Sequence, residues 1–151
     1  MAGWTNRGKN NALSRMFRAG TIPTNYYVAL VRSTVAPAAD INTLSELTQI
    51  STATGYTSGG ISLTPGATDF DVLTEDDGND RALVQIKDLV WTASGGNLDS
   101  GAGARYAVLT DDNGTEGSRT VEQYWDLTSD RNVSDGQTLT LQDCEIRINE
   151  S

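Results

Sequence analysis

The sequence contains no histidine and only one cysteine among its 151 residues. Histidine is the commonest general base and metal ligand in proteins, so its absence excludes Ser-His and Cys-His nucleophile pairs. A single thiol also excludes an internal disulfide and a thiolate metal cage. Cys144 lies in a strand-like stretch, which predicts a small buried residue. We therefore expect a protein that is not an enzyme and that uses no metal or cofactor.

Long apolar stretches are also missing, and no run approaches the roughly 18 residues of a membrane-spanning helix. The first residues are polar and basic, which predicts that no signal peptide exports the protein. Hydrophobic residues form only 37% of the chain, and strands with one wetted face would suit so small a core. The length fits one domain, and we expect no membrane partner.

Acidic residues are absent from the first 39 positions, which hold five of the 11 basic residues, although the whole chain carries a net charge of −9. This asymmetry predicts a basic N-terminal arm at residues 1–9 and a single β-rich domain with an N-terminal helix at residues 10–151. We expect no nucleic-acid partner, because an acidic domain repels phosphate and the basic residues are spread thinly. An acidic protein surface would suit the arm better.

A short amphipathic helix is predicted over residues 10–20, since three apolar residues recur there at helical spacing. The stripe consists of Leu13, Met16 and Phe17. Gly20 marks a C-terminal stop. Arg15 and Arg18 lie off the stripe near that end, where positive charge suits the helix dipole.

Two further elements follow in the first third of the chain. Residues 26–31 form a near-continuous apolar run of β-formers, which predicts a central strand buried on both faces. Thr43 and Glu46 have the spacing of a capping box, and apolar residues continue after them. That pattern predicts a second short helix near residues 43–50.

From residue 56 onward, short alternating stretches and turn residues predict strands. The alternation breaks near residues 87–88 and again near 142–143, which predicts two β-bulges. About seven strands result in all. The expected fold is mainly β, an antiparallel β-sandwich or partly open barrel, with a helix packed at one end.

Acidic residues cluster around Gly78 and invite a calcium interpretation. An EF-hand loop needs oxygen ligands at fixed positions before its glycine and a glutamate at its twelfth position. Here Leu73 occupies the first position and Val84 the twelfth. We therefore interpret the cluster as a solvated turn.

The candidate partner-binding residues all lie in the basic N-terminal segment. They are Trp4, Arg7 and Lys9 on the arm, with Arg15 and Arg18 on the helix. Trp4 has no apolar neighbour in the sequence, and an isolated tryptophan on an arm is a good anchor for a partner's pocket. The alternative is that Trp4 folds back on the core of its own domain.

The order of motifs along the chain resembles that of the small virion structural proteins of tailed bacteriophages, over about residues 10–148. The motifs are Tyr-Val-Ala-Leu at 27–30, Gly-Tyr-Thr-Ser-Gly-Gly at 55–60, Trp-Thr-Ala at 91–93, Arg-Tyr-Ala-Val-Leu at 105–109 and Asp-Gly-Gln-Thr-Leu-Thr-Leu at 135–141. They are strand and turn sequences, and none is a catalytic signature.

This resemblance implies a virion protein that is assembled in the host cytoplasm. The first expectation is a capsid decoration, or cement, protein that binds the outer capsid lattice as a homo-oligomer. Its partners would be the major capsid protein and further copies of itself. The alternative is a tail, baseplate or fibre component that binds a receptor or glycan through the loops at residues 94–104 and 111–119.

Overall fold

A computed structural model describes residues 2–149, and within that range the chain forms ten strands, one α-helix and two single 3-10 turns. In chain order the elements are β1 (Ala2–Trp4), α1 (Asn6–Phe17), β2 (Tyr26–Val31), a 3-10 turn (Leu44–Glu46), β3 (Ile61–Leu63), β4 (Val72–Asp76), β5 (Arg81–Ile86), β6 (Leu89–Thr92), β7 (Ala104–Thr110), a second 3-10 turn (Glu116–Ser118), β8 (Val121–Arg131), β9 (Thr138–Leu141) and β10 (Cys144–Asn149). Met1, Glu150 and Ser151 lie outside the described residues.

The strands form three antiparallel sheets, which confirms the predicted mainly β fold. A five-stranded sheet has the order β1-β8-β7-β2-β3, a three-stranded sheet has the order β10-β5-β4, and β6 pairs with β9. Each sheet has two open edges among the described residues, so the fold is sandwich-like and no barrel closes. The sequence predicts about seven strands, fewer than the ten observed, because β1 and β4 lie in stretches interpreted as an arm and an acidic turn. The two stretches interpreted as bulged strands are also each divided in two, into β5 and β6 and into β9 and β10.

The main core lies between the five-stranded sheet and the two smaller sheets. Strand β2 runs through its centre, and residues 28–31 have no solvent exposure, which confirms the predicted doubly buried strand. The Tyr56 hydroxyl donates to Gln49 Oε1 (2.6 Å) and accepts from the Leu30 backbone amide (3.2 Å). Cys144 is buried as predicted, and burial raises the pKa of its thiol to about 12.

The two predicted bulges prove to be one corner shared by two pairs of strands. Ile86 pairs with Cys144 and Leu89 pairs with Leu141, so the pairing register continues across the gap with two residues omitted on each strand. No extra residue is inserted on either side, and the structure is therefore a bend rather than a bulge. This bend carries the ladder from the three-stranded sheet into the two-stranded sheet.

The second predicted helix is wrong in length. Only Leu44–Glu46 forms a 3-10 turn, and Leu47 already has an extended backbone. The capping interaction does form, because the Glu46 carboxylate accepts from the backbone amide of Thr43 (2.7 Å). The chain then pairs with the end of β2, where the Ile50 amide donates to the Leu30 carbonyl (3.1 Å). Those sheet hydrogen bonds replace further helical turns.

The prediction of a separate N-terminal arm is also wrong within the described residues. Ala2–Trp4 is an edge strand that pairs with β8, and the helix begins at Asn6 instead of residue 10. Thr5 caps the helix, because its side-chain oxygen accepts from the Gly8 amide (2.9 Å) while its hydroxyl donates to the Val121 carbonyl (2.5 Å). The segment is thus an integral part of the fold.

Gly8 permits the close approach of α1 to β8. A Cβ atom added at this position would lie 2.1 Å from the backbone carbonyl oxygen of Glu122. Backbone atoms cannot move aside as a flexible side chain can, so any other residue would force the helix away from the sheet.

We expect Gly8→Ala to lower the free energy of unfolding by about 1–3 kcal/mol, measured by urea denaturation, because overpacking against the backbone outweighs the better helix propensity of alanine. Gly114→Ala is the matched control, since a Cβ there meets nothing within 4 Å. Equal stability of the two variants would show that the helix does not depend on this contact.

Candidate functional site

The polar side of helix α1 faces the protein. Glu122 Oε1 on β8 accepts hydrogen bonds from Arg15 Nη2 (2.8 Å) and Asn11 Nδ2 (3.0 Å). The Arg15 guanidinium also lies over the ring of Tyr26 (5.7 Å to the centroid) and donates from Nε to the Thr21 carbonyl (3.2 Å). The helix is therefore attached through Gly8 and these polar contacts rather than through an apolar face.

Glu122 is only 2% exposed, and its Oε2 atom has no hydrogen-bond partner among the described residues. Burial raises the pKa of this carboxyl above its usual range, and the contacts from Asn11 and Arg15 oppose that rise only in part. A buried carboxylate is costly without its cation, so the ion pair with Arg15 fixes the rotation of the helix.

Trp4 is not a free anchor. Its side chain is half-buried and packs against the main core, and its indole Nε1 donates to the Arg147 carbonyl of β10 (2.7 Å). The structure therefore agrees with the alternative interpretation, in which Trp4 folds back on its own domain. The contact also links β1 to the three-stranded sheet.

The four predicted cations do not form one surface. Arg15 points inward to Glu122, and its side chain is 17% exposed. Arg7, Lys9 and Arg18 are exposed and form no ion pair among the described residues. Partner binding by these three exposed residues stays a prediction, whereas the geometry of Arg15 assigns it to holding the helix.

The opposite side of the helix carries the unusual surface of this protein. Six large apolar side chains on α1, the following loop, β4 and β10 are each more than half exposed. We call this surface the apolar face; it comprises Leu13, Met16, Phe17, Ile22, Leu73 and Ile148. Single exposed apolar residues are ordinary, but a continuous group of this size marks an interaction surface.

Two grooves make the apolar face continuous from the helix to the three-stranded sheet. One groove of about 400 Å³ is lined by the apolar residues Leu13, Met16 and Ile148, and also by Lys9 and Arg147. A second groove of about 300 Å³ is lined by Met16, Ile22 and Val84, together with core residues and the Arg15–Glu122 ion pair. Val84 pairs directly with Leu73, so the two side chains lie side by side on the same face of the sheet.

Charge on the two borders of the apolar face has opposite sign. The helix border carries Arg7 and Lys9, which form no ion pair among residues 2–149, although Lys9 also lines a groove with Asp143 and Glu145. The β4–β5 hairpin carries Glu75 and Asp77, which are both exposed. The carboxylate of Asp76 between them instead accepts hydrogen bonds at Oδ2 from Arg81 Nε (2.8 Å) and Asn79 Nδ2 (2.8 Å). The acidic cluster predicted as a solvated turn thus forms the end of this hairpin.

The loop at residues 94–104 is held by a buried carboxylate. Asp99 accepts from Arg32 Nη2 (2.6 Å) and from the backbone amides of Ser51 (2.8 Å) and Gly103 (3.0 Å). Burial alone would raise the pKa of Asp99, but these hydrogen bonds outweigh it and hold the pKa well below its usual range. This loop and the loop at residues 111–119 contain no aromatic residue that could stack on a sugar.

Sequence reasoning found the stripe of Leu13, Met16 and Phe17 but did not place it in the candidate site. Ile22, Leu73 and Ile148 were missed because they lie far apart in the chain, on a loop and two strands that only the fold brings to one side of the molecule. One feature of the sequence could have indicated this. A glycine inside a helix allows another backbone to approach closely, so Gly8 suggests that its side of the helix, and not the apolar stripe, packs against the sheet.

No protein-family model, curated protein or solved structure matches this chain. Among residues 2–149, no helix has the length and apolar character needed to cross a membrane.

We expect Arg15→Ala to lower the free energy of unfolding by about 3 kcal/mol near pH 8, because Glu122 then stays buried and charged without its cation. The raised pKa of Glu122 sets the pH dependence. As the pH falls through this raised pKa, protonation neutralises the carboxyl in the folded protein, so the cost of the substitution should shrink.

Arg18→Ala is the matched control for this experiment, since Arg18 is exposed on the same helix and has no ion pair among the described residues. Its effect should stay within about 0.5 kcal/mol at both pH values. Urea denaturation at pH 8 and pH 5 measures both variants. A cost for Arg15→Ala that is the same at the two pH values would contradict the assigned role of Glu122.

Proposed function

We propose that this protein is a non-catalytic structural component of a tailed-phage virion that decorates the outer capsid, with the apolar face as its assembly surface. The observation that carries the proposal is the exposure of six large apolar side chains on one continuous surface. Monomeric proteins rarely expose apolar patches larger than a few hundred Å² unless the patch binds something. The partners in this proposal are the major capsid protein and further copies of the chain.

The electrostatic borders of the face support an assembly role. Arg7, Lys9 and Arg18 are exposed and unpaired among the described residues, so they are available to an acidic partner surface. Each exposed ion pair adds only about 0.2–1 kcal/mol, so charge would orient the contact while apolar burial supplies the affinity. Many weak contacts on a repeating lattice would add up through multivalency.

The motif order that resembles virion structural proteins supports a virion as the assembly, but it does not select the component. Capsid decoration, within a virion put together in the host cytoplasm, is the first form of the proposal. The alternative virion role is that of a tail, baseplate or fibre component. The number of copies per particle distinguishes this role from capsid decoration. A decoration protein repeats with the capsid lattice, whereas tail components occur in few copies.

Quantitative mass spectrometry of purified particles whose genome encodes this chain tests the proposal. We expect a copy number within a few-fold of that of the major capsid protein, because a decorating protein follows the lattice. A count similar to that of tail proteins would move the protein to the tail. Absence from purified particles would overturn the virion role altogether.

The double variant Leu13→Gln with Met16→Gln tests the assembly surface. Both residues are more than half exposed, so folding should change little, while binding to capsids that lack the protein should weaken about tenfold or more. Cosedimentation with such capsids measures the binding. Asn10→Gln, at an exposed position on the same helix, should bind like the unsubstituted chain. Undiminished binding by the double variant would show that capsid attachment needs neither the apolar face nor an assembly formed through it.

A further inference from the structure

We infer that the apolar face binds a second copy of this chain, with helix α1 of each copy lying against the β4–β5 hairpin of the other. The inference rests on the proposed assembly role of that face and names its occupant. Its basis is the opposite charge on the two borders of one continuous apolar surface.

The layout of the face is fixed by pairing and contact. Strands β10, β5 and β4 lie side by side in that order, and α1 faces β10 across the groove that Leu13 and Ile148 line. The helix therefore forms one border of the face and β4 forms the other. Leu73, the most exposed of the six apolar residues at 81%, lies on the β4 border.

The two charged groups also lie at the same end of the face. Arg81 pairs with Asn149 on one side and with Asp76 on the other, which places the hairpin turn beside the end of β10. Asn149 lines the same groove as Lys9. The basic first turn of the helix is thus level with the acidic turn of the hairpin, across the width of the face.

This arrangement is complementary to itself. In a two-fold symmetric dimer each residue on one copy contacts a different residue on the other, and the reverse contact is made at the same time. A two-fold axis parallel to the strands and between the two faces brings each helix over the partner's hairpin. The same rotation places Lys9 of each copy opposite Glu75 and Asp77 of the other, so the dimer contains this charged contact twice.

The apolar area is sufficient for such a dimer. With on the order of 100 Å² from each half-exposed large side chain, the six residues supply roughly 600 Å² per copy, close to the roughly 800 Å² per partner of a standard interface. A helix-on-helix dimer would also bury apolar area, but it would place the basic residues of the two helices together. Like charges in contact oppose association, so the hairpin is the favoured occupant.

A charge-exchange experiment tests this contact on the full chain. The helix variant carries Arg7→Glu and Lys9→Glu, and the hairpin variant carries Glu75→Lys and Asp77→Lys; all four positions are exposed. Light scattering coupled to size-exclusion chromatography at low salt measures the mass. The unsubstituted chain should be a dimer, and each variant alone should associate at least about tenfold more weakly.

An equimolar mixture of the two variants should restore the dimer, because both contacts of the mixed pair again join opposite charges. Circular dichroism first confirms that each variant is folded. A monomeric unsubstituted chain, a hairpin variant that still dimerises alone, or a mixture that stays monomeric would each overturn the inference. Dimerisation of a chain that is absent from virions would leave this inference standing and reject only the proposed function.

Discussion

The contact between Gly8 and the carbonyl of Glu122 is the constraint on which the position of the helix depends. Because a Cβ at this position would lie 2.1 Å from that oxygen, only glycine allows α1 to touch the backbone of β8. The Thr5 cap fixes where the helix begins, and the ion pair between Arg15 and Glu122 fixes its rotation. Because the start and the rotation of the helix are fixed in this way, the stripe of Leu13, Met16 and Phe17 faces the solvent.

An amphipathic helix that presents its apolar side to solvent reverses the usual arrangement, and the buried carboxylate explains how it is held. Glu122 lies where an ordinary sandwich would place an apolar residue, at the end of the main core. Because the buried Glu122 carboxylate needs hydrogen-bond donors, the side of the helix that carries Arg15 and Asn11 faces it. The cost of burying this charge is therefore part of what exposes the apolar face.

The sequence predicted the parts of the fold that depend on local pattern. Residues 26–31 are apolar at every position from Val28 on, and such a run can only be a buried strand or a buried helix. The pattern of residues 10–20 identified a helix and its stripe correctly, but periodicity does not reveal which side meets the sheet. That choice depends on Gly8 and Glu122, which are 114 positions apart and meet only after β8 has formed. The capping box near Thr43 likewise predicted a turn but not its early end, which sheet pairing decides.

The same geometry separates folding from association. Most residues that stabilise the monomer lie between the sheets, whereas those of the apolar face contribute little because they keep most of their contact with water. Changes at the face therefore alter what the protein binds before they alter whether it folds. Gly8 and Arg15 act in the opposite way, since they stabilise the docked helix and only thereby orient the face. The apolar face can therefore change without loss of the fold, whereas the few residues that hold the helix cannot be replaced without destabilising it. This separation suits a module whose role is to assemble with other proteins.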